Sequence, residues 1–372
     1  MHVNHHSLLT RTPCAQRQLI SLHYGQAGGA GKAYLQASLH ADELPGMLTL
    51  HHLRQLLDGA ESRGEILGEI VLVPIANPIG LEQTLMHDAM GRFDFNSGEN
   101  FNRRYPDLAQ WLKERLADEL TADADENRQI IRRAMADALQ RMQAVSEIDS
   151  MRRAQLLLAH DADIVLDLHC DAQAVVHLYG DAGDQAQLDP LARYLGAQAT
   201  LLSTGIGGGS FDEACGQPWR ALAEHFEGRF PVPASCLSAT VELRGEAQVD
   251  HALAVKDAAA LYAFLQHRGL IAGTPPPQPA LLHAATPFNG SLTLTAPCAG
   301  LVVFLHQPGA WIGEGEPVLH IIDPISAVTR TVCSTVSGVM YMRSAIRFAA
   351  AGVELCKVAG ATALKDGGQL SA

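Results

Sequence analysis

Residues Ala33–Leu39 read AYLQASL, an apolar run that stops at His40-Ala41-Asp42-Glu43 and gives way to a helical pattern from Leu44. A short apolar run that ends in polar residues is typical of a buried β-strand. Three further runs of this kind and two clear helical patterns alternate along the chain: Ile70–Ile75, Ile164–Leu168, Leu237–Leu243, Leu44–Leu57 and Leu188–Leu195. The alternation predicts an α/β fold, a doubly wound, largely parallel mixed sheet with helices on both faces.

The composition of the 372-residue chain favours a globular protein of about two to three domains. Hydrophobic residues make up 47% and charged residues 18%, which is enough apolar material for a large core. The net charge of −13 argues against a nucleic-acid partner, because phosphate contact needs clustered cations. No apolar run reaches the roughly 18 residues that span a bilayer, and the first residues lack the apolar segment of a secretory signal. We expect a soluble cytoplasmic protein with no membrane partner.

A proline-rich stretch, Gly273–Pro279, separates the predicted α/β region from a tail of different composition. Prolines in series are incompatible with helices and central strands, so we predict a linker and two domains, residues 1–272 and 273–372. The tail is rich in Val, Thr and Ile and resembles lipoyl and biotinyl carrier domains at Gly309–Leu319, which predicts a small all-β domain. No lysine lies between Lys256 and Lys357 to hold a cofactor, so we expect this domain to be structural.

Residues 107–162 have the composition of amphipathic helices and are predicted to be a helical insert in the first domain. Thr121 or Asp123 would cap a helix that runs to about Val145, and a second helix is predicted over Asp149–His160. The apolar stripe of the first helix predicts a packing role, and no catalytic role is assigned to the insert.

The polar residues that close the predicted strands are candidates for a ligand site, since ligands bind at the carboxyl ends of parallel strands. The seven cysteines include no Cys-x-x-Cys pair, which leaves His, Asp and Glu as metal ligands. His40 and Glu43 close one strand and His169 closes another, with Asp167 spaced to hold the second ring nitrogen of His169. Two His and one Glu predict a site for one Zn²⁺ per chain with a position left for water, although another divalent ion is an alternative.

Four further residues are candidates for catalysis or substrate binding. Glu242 lies in an apolar run, where a carboxylate is costly to bury without a partner. From the residues alone, a general base and a salt bridge with Arg244 are about equally favoured. Arg92, Asn102 and Arg103 lie in a long polar loop, and guanidinium groups are natural ligands for carboxylates and developing oxyanions.

An ordered set of motifs resembles the zinc carboxypeptidase superfamily, and more closely its succinylglutamate desuccinylase/aspartoacylase branch: His40-x-x-Glu43, Asn77-Pro78, Asn102-Arg103, Asp167-Leu168-His169 and Glu242. The resemblance covers nearly the whole chain, because members of that branch also carry a β-rich C-terminal domain. It implies a zinc carboxypeptidase-like sheet. The chain departs from the desuccinylases at Asn100, where they usually have an aspartate.

The resemblance implies a role for each matching residue. It makes three residues the zinc ligands: His40, Glu43 and His169. It makes Glu242 the general base and Arg92 the group that polarises the scissile carbonyl. It makes Asn102 and Arg103 the pair that binds a substrate carboxylate.

The implied activity is zinc-dependent hydrolysis of the amide bond of a small N-acyl amino acid, by an amidohydrolase in which a glutamate activates the zinc-bound water. A zinc carboxypeptidase that acts on peptides is an alternative with the same chemistry. A non-catalytic binding protein that keeps the hydrolase fold is an alternative of a different class. The acyl group, the amino acid and the number of subunits, a homo-oligomer included, stay open.

Overall fold

The computed structural model of the protein describes residues 1–204 and 208–363. In this part of the chain, the strands are β1 (His2–Ser7), β2 (Gln18–Gly25), β3 (Lys32–Ala37), β4 (Glu69–Val73), β5 (Thr84–Leu85), β6 (Asp88–Ala89), β7 (Ile164–Asp171), β8 (Gln173–Ala174), β9 (His177–Asp181), β10 (Ala199–Ser203), β11 (Leu237–Gly245), β12 (Thr286–Pro287), β13 (Ser291–Thr295), β14 (Gly300–Phe304), β15 (Trp311–Ile312), β16 (Pro317–Ile322), β17 (Thr329–Cys333), β18 (Gly338–Arg343), β19 (Phe348–Ala349) and β20 (Glu354–Gly360). The helices are α1 (Pro45–Ser62), α2 (Pro78–Leu81), α3 (Leu108–Leu116), α4 (Ala124–Arg141), α5 (Glu147–Ala159), α6 (Gln185–Leu195), α7 (Phe211–His225) and α8 (His251–His267), with 3₁₀ turns at Ala182–Asp184 and Phe288–Gly290.

The chain divides into two compact units. The first contains Met1–His169, Ile206–Thr240 and His251–Pro276. The second contains Cys170–Gly205, Val241–Asp250 and Pro277–Ala372. Strands β7 and β11 therefore each begin in the first unit and end in the second. The domain boundary predicted at residue 273 divides the chain in another way and stays a prediction.

In the first unit the strands lie in the order β1-β2-β4-β3-β7-β11. β3 pairs in parallel with β4 and β7, while β2 is antiparallel to β1 and β4. The central strands are almost continuously apolar and buried, as expected for parallel strands that are covered on both faces. The register of β3 with β7 sets Ala37 beside Leu168. His40 and His169, which follow these two residues in the sequence, therefore lie near the same edge of the sheet.

Gly46 allows α1 to begin close to this edge of the sheet. Pro45 occupies the first turn of α1, where a missing backbone N–H costs nothing. A Cβ on Gly46 would lie 2.9 Å from the Cβ of Ala37 and 3.1 Å from the Cβ of Leu168. Any larger residue would push α1 away from β3 and β7, so Gly46 fixes the position of the turn that precedes the helix.

Residues 107–162 form α3, α4 and α5. Of the two candidate caps of α4, Asp123 serves, since its carboxylate accepts from the N–H groups of Asp125 and Glu126. The helix ends at Arg141, short of the predicted end, because Met142 has a ψ of 120°, outside the helical region. Helix α3 is not predicted by the sequence, since its 9 residues give only about two and a half turns of periodic pattern.

In the second unit, the residues after the proline-rich stretch form antiparallel sheets with the strand orders β13-β20-β18-β15 and β17-β16-β14-β19. Apolar residues that alternate along these strands share one buried cluster: Val302, Ile312, Val318, Leu319, Ile321, Met340, Leu355 and Val358. Strand β8 pairs with β18, and β9, β10 and β12 pair in parallel in the same unit.

The protein has a mixed α/β fold with a large, mostly parallel sheet. The four predicted strands correspond to β3, β4, β7 and β11, and the two predicted helices to α1 and α6. The doubly wound arrangement, with helices on both faces of the sheet, stays a prediction. Within residues 1–204 and 208–363, no helix is both long enough and apolar enough to cross a membrane.

Candidate metal centre

The turn between β3 and α1 carries two of the three predicted metal ligands, His40 and Glu43. Backbone N–H of Glu43 donates to the carbonyl of His40 at 3.1 Å, which closes the turn. Ser38 enters the turn with a φ of +58°, in the left-handed region, and its hydroxyl donates to the carbonyl of Glu43 at 3.0 Å. The backbone of Ser38 thus starts the turn, and its side chain holds the end of the turn at Glu43.

His169, in β7, completes a cluster with this turn. One ligand atom from each of His40, Glu43 and His169 lies within 4.8 Å of the other two. Nδ1 of His40 is 2.8 Å from Oε1 of Glu43, and Nδ1 of His169 is 2.8 Å from Oε2 of the same carboxylate. All three residues are buried, with 3–7% of their surface exposed. The structure thus brings the three sequence-predicted ligands together.

Hydrogen bonds on the far sides of the rings decide which nitrogen of each histidine carries the proton. Asn100 Oδ1 accepts the backbone N–H of Asn102 at 2.9 Å, so the oxygen of this amide, and not its nitrogen, faces His40 Nε2, also at 2.9 Å. His169 Nε2 lies 3.0 Å from Oδ2 of Asp167, a carboxylate that accepts. Both Nε2 atoms are therefore donors, so either ring, when it is neutral, turns the lone pair of Nδ1 toward Glu43.

This arrangement sets two lone pairs against a carboxylate, and it requires positive charge between them. Burial acts to lower the pKa of His169, but the charges of Asp167 and Glu43 outweigh it and raise that pKa well above its ordinary value. Burial likewise opposes ionisation of Glu43, yet His169 and His40 hold its pKa below the usual range. Burial lowers the pKa of His40, so this ring favours the neutral, metal-ligating form. The donor set of two imidazoles and a carboxylate fits a divalent cation.

Arg92 lies beside the cluster. Its Nη1 is 3.4 Å from Oε1 of Glu43 and 3.3 Å from Nδ1 of His40, and the side chain is 40% exposed. The preceding residue, Gly91, positions Arg92, because the carbonyl of Gly91 accepts from the backbone N–H of Ala41 at 3.0 Å. A Cβ on Gly91 would lie 2.2 Å from the backbone nitrogen of Asp42. Only glycine allows the loop to approach the turn between β3 and α1 this closely.

Asn102 and Arg103 follow on the same loop. Asn102 is buried, its Oδ1 accepts the backbone N–H of Phe211 at the start of α7, and its Nδ2 is 3.5 Å from Nε2 of His169. Arg103 is only partly buried, and its Nη1 donates to the carbonyl of Asn102 at 2.8 Å. Burial lowers the pKa of Arg103, and the charge of Arg92 lowers it further. The nearby carboxylates of Glu213 and Asp212 act on the pKa of Arg103 in the opposite direction.

Comparison with known proteins establishes the family. The model of the succinylglutamate desuccinylase/aspartoacylase catalytic domain matches residues 30–268, more than half of the chain. The chain belongs to this family. The names of the family indicate a hydrolase that acts on N-acyl amino acids. No curated protein sequence matches the chain.

Solved structures of the desuccinylase/aspartoacylase family extend the similarity to nearly the full length. A family protein from Shewanella amazonensis SB2B is 28% identical, with a TM-score of 0.82 over 96% of this chain and 98% of its own. One from Shewanella frigidimarina NCIMB 400 is also 28% identical, with a TM-score of 0.83 over 96% and 97%. A succinylglutamate desuccinylase/aspartoacylase from Rhodobacter sphaeroides, 15% identical with a TM-score of 0.65 over 97% and 96%, shares the fold.

Glu242, the general base that the desuccinylase/aspartoacylase resemblance implies, lies in β11 in the second unit. Exposure alternates along this part of the strand, with Val241 and Leu243 buried and Glu242 and Arg244 half-buried. Glu242 therefore projects from the face of the strand opposite to that of Val241 and Leu243.

Two residues of this family member's site are missed by sequence reasoning. Asn100, which accepts from His40, is noted in the sequence only as a departure from the desuccinylases and is given no role there. Gln36, whose amide donates to Asp167 at 3.0 Å, is a polar residue inside the apolar strand β3. A buried polar side chain needs a partner, so Gln36 carried a signal, but the identity of the partner depends on the register of β3 with β7.

Proposed function

We propose that this protein is a metal-dependent amidohydrolase that removes the acyl group from a small N-acyl amino acid. The observation that carries the proposal is the convergence of His40 Nδ1, His169 Nδ1 and both oxygens of Glu43 in a buried cluster. Membership of the desuccinylase/aspartoacylase family supports the substrate class.

The residues that would hold the metal are His40, Glu43 and His169. Zn²⁺ is the first candidate, because two imidazoles and one carboxylate are a ligand set common to catalytic zinc sites. When bound, such an ion acts as a Lewis acid and lowers the pKa of a water molecule that it binds to about 7. Asn100 and Asp167 keep the two rings in the tautomer that a metal requires.

In the proposed reaction, side chains of the protein handle the proton and the developing charge. Glu242 takes a proton from the attacking water and returns it to the leaving nitrogen, so that the amide becomes a free amine. Arg92, which is partly exposed beside Glu43, donates to the oxyanion that forms on the acyl carbonyl. Both assignments follow the resemblance in sequence.

Asn102 and Arg103 would fix the orientation of the substrate. A carboxylate on the amino-acid part would be held by the Arg103 guanidinium, whose desolvation strengthens its attraction for an anion. Asn102 Nδ2 lies near His169, so a substrate held by this pair would have one end next to the metal ligands. Holding the carboxylate determines which amide bond is presented for cleavage.

The test is metal analysis combined with a hydrolysis screen of N-acetyl, N-succinyl and N-formyl amino acids and of amino-terminally blocked peptides. We expect one Zn²⁺ per chain and cleavage of at least one N-acyl amino acid, both lost in His169→Ala. His320→Ala is the matched control, because His320 and Asp323 repeat the spacing of His40 and Glu43 without belonging to the cluster.

Three results would contradict the proposal. Cleavage of the peptides alone would make the protein a carboxypeptidase. Stoichiometric metal without any hydrolysis would point to a non-catalytic binding protein. Equal metal content in His169→Ala and His320→Ala would remove the proposed metal site.

A further inference from the structure

A row of buried polar side chains extends from the metal centre into the sheet. Tyr34 and Gln36 lie on β3, Asp167 and His169 lie on β7, and all four are 0–3% exposed. The parallel register of these strands pairs Gln36 directly with Asp167. Because side chains two residues apart share a face, Tyr34 stands behind Gln36 and His169 stands beyond Asp167.

The hydrogen bonds in this row converge on Asp167 from both sides. The Tyr34 hydroxyl donates to Gln36 Oε1 at 2.8 Å, and Gln36 Nε2 donates to Asp167 Oδ1 at 3.0 Å. The other oxygen, Asp167 Oδ2, accepts from His169 Nε2 at 3.0 Å. A carboxylate only accepts, so Gln36 must present its nitrogen to Asp167 and its oxygen to Tyr34.

Asp167 is a fully buried anion with few donors. Within the described residues its ion pair is with His169, and no Lys or Arg pairs with it. The Gln36 amide is therefore the donor that satisfies the oxygen facing away from the metal centre. A buried carboxylate keeps one orientation only when its oxygens have donors.

We propose that Gln36 is a positioning residue of the metal centre: its amide holds the Asp167 carboxylate turned toward His169, and Tyr34 in turn fixes the amide. This inference rests on the proposed function, since it requires that His169 ligates a metal. The hydrogen bonds of the Gln36 side chain go to Tyr34 and Asp167, so it acts on His169 through Asp167.

The proposal predicts a selective loss of metal affinity. Without the amide, the Oδ1 atom of Asp167 loses its donor and the carboxylate is free to rotate. His169 then loses the partner that orients its ring. Loss of such outer partners costs about 10–100-fold in metal affinity. For Gln36→Met we expect a loss of affinity of about tenfold, because Gln36 is one hydrogen bond further from the metal site than Asp167.

The experiment measures Zn²⁺ affinity by competition with a chromophoric chelator and records the visible spectrum of the Co²⁺-loaded protein. Gln36→Met is compared with Gln155→Met. Gln155 is also fully buried, and its amide accepts from the Tyr105 hydroxyl at 2.6 Å and donates to the Ala76 carbonyl at 2.8 Å, outside the row. Both variants lose a buried amide, so a general loss of stability affects them alike. Tyr34→Phe removes one hydroxyl and covers the case in which Gln36→Met does not fold.

We expect about a tenfold weaker Zn²⁺ affinity and an altered Co²⁺ spectrum in Gln36→Met, a smaller change in the same direction in Tyr34→Phe, and neither in Gln155→Met. Wild-type-like affinity and spectrum in Gln36→Met, or in Tyr34→Phe when Gln36→Met does not fold, would overturn the inference while leaving the metal site in place. Equal losses in Gln36→Met and Gln155→Met would reduce the role of Gln36 to general stability and overturn it too. If the wild type binds no metal, the proposed function itself fails.

Discussion

Replacing Asn100 by alanine removes the hydrogen-bond acceptor that supports His40. Asn100 Oδ1 accepts from His40 Nε2 and from the backbone N–H of Asn102, each at 2.9 Å, and the residue is 7% exposed. Alanine leaves both donors without this acceptor in a buried place. The His40 ring then loses the acceptor that selects its tautomer. The backbone N–H of Asn102 loses the acceptor that links this part of the loop to Asn100.

The expected cost follows from these two bonds. A buried donor left unsatisfied costs about 1–3 kcal/mol, so Asn100→Ala should lower the free energy of unfolding of the metal-free protein by at least about 2 kcal/mol. Loss of the partner of a metal-ligating histidine should weaken Zn²⁺ binding by about 10–100-fold. Asn100→Asp keeps an acceptor for both donors and adds a negative charge near the ion, so its Zn²⁺ affinity should equal or exceed that of the wild type.

Urea unfolding in excess EDTA gives the first quantity, and chelator competition gives the second. Asn96→Ala is the control, because Asn96 lies on the same loop but is exposed and donates to Asp94 instead of a ligand. Zn²⁺ affinity of Asn100→Ala within threefold of the wild type would refute the reasoning. So would an Asn100→Asp variant that binds Zn²⁺ as weakly as the alanine variant.

Three other substitutions test separate parts of the site. Glu242→Gln should lower kcat for the best N-acyl substrate by about 10²–10⁴-fold with unchanged metal content, and unchanged turnover would remove Glu242 as the base. Arg103→Ala should raise KM for a carboxylate substrate by roughly 10–100-fold, from about 1.5–3 kcal/mol for a charged hydrogen bond, whereas an equal effect on the matching amide would contradict carboxylate binding. Gly91→Ala places a Cβ 2.2 Å from the Asp42 nitrogen and should lower the free energy of unfolding by about 2 kcal/mol or more. The control is Gly59→Ala within helix α1, which should be neutral or stabilising. Equal urea midpoints for the two variants would contradict the close approach of Gly91 to Asp42.

The sequence predicts that His40, Glu43 and His169 lie close together because their positions follow from strand geometry. His40, Glu43 and His169 come after apolar runs, and parallel strands bring their carboxyl ends to one edge. Asp167 was also predictable, since a residue two positions before His169 on a strand projects from the same face. These assignments need only the periodicity of a strand and the order of the motifs.

Contacts that depend on loops were not predictable in this way. Asn100 reaches His40 across 60 residues of sequence, through a loop that has no periodic pattern. Gln36 is visible as a polar residue in β3, but the choice of Asp167 as its partner requires the exact register of two strands. Helix α3 escaped prediction because it is short. The sequence thus identifies residues that follow regular elements, and it leaves open what irregular segments bring to them.

The central claim is that His40, Glu43 and His169 bind one cation through specific atoms. A crystal structure of the protein soaked with Zn²⁺, with diffraction data collected at the zinc absorption edge, tests it directly. We expect one anomalous peak per chain at about 2.0–2.2 Å from Nδ1 of His40, Nδ1 of His169 and a carboxylate oxygen of Glu43. A peak next to the Nε2 atoms of the two histidines, a peak elsewhere, or no peak at this cluster would contradict binding through these atoms.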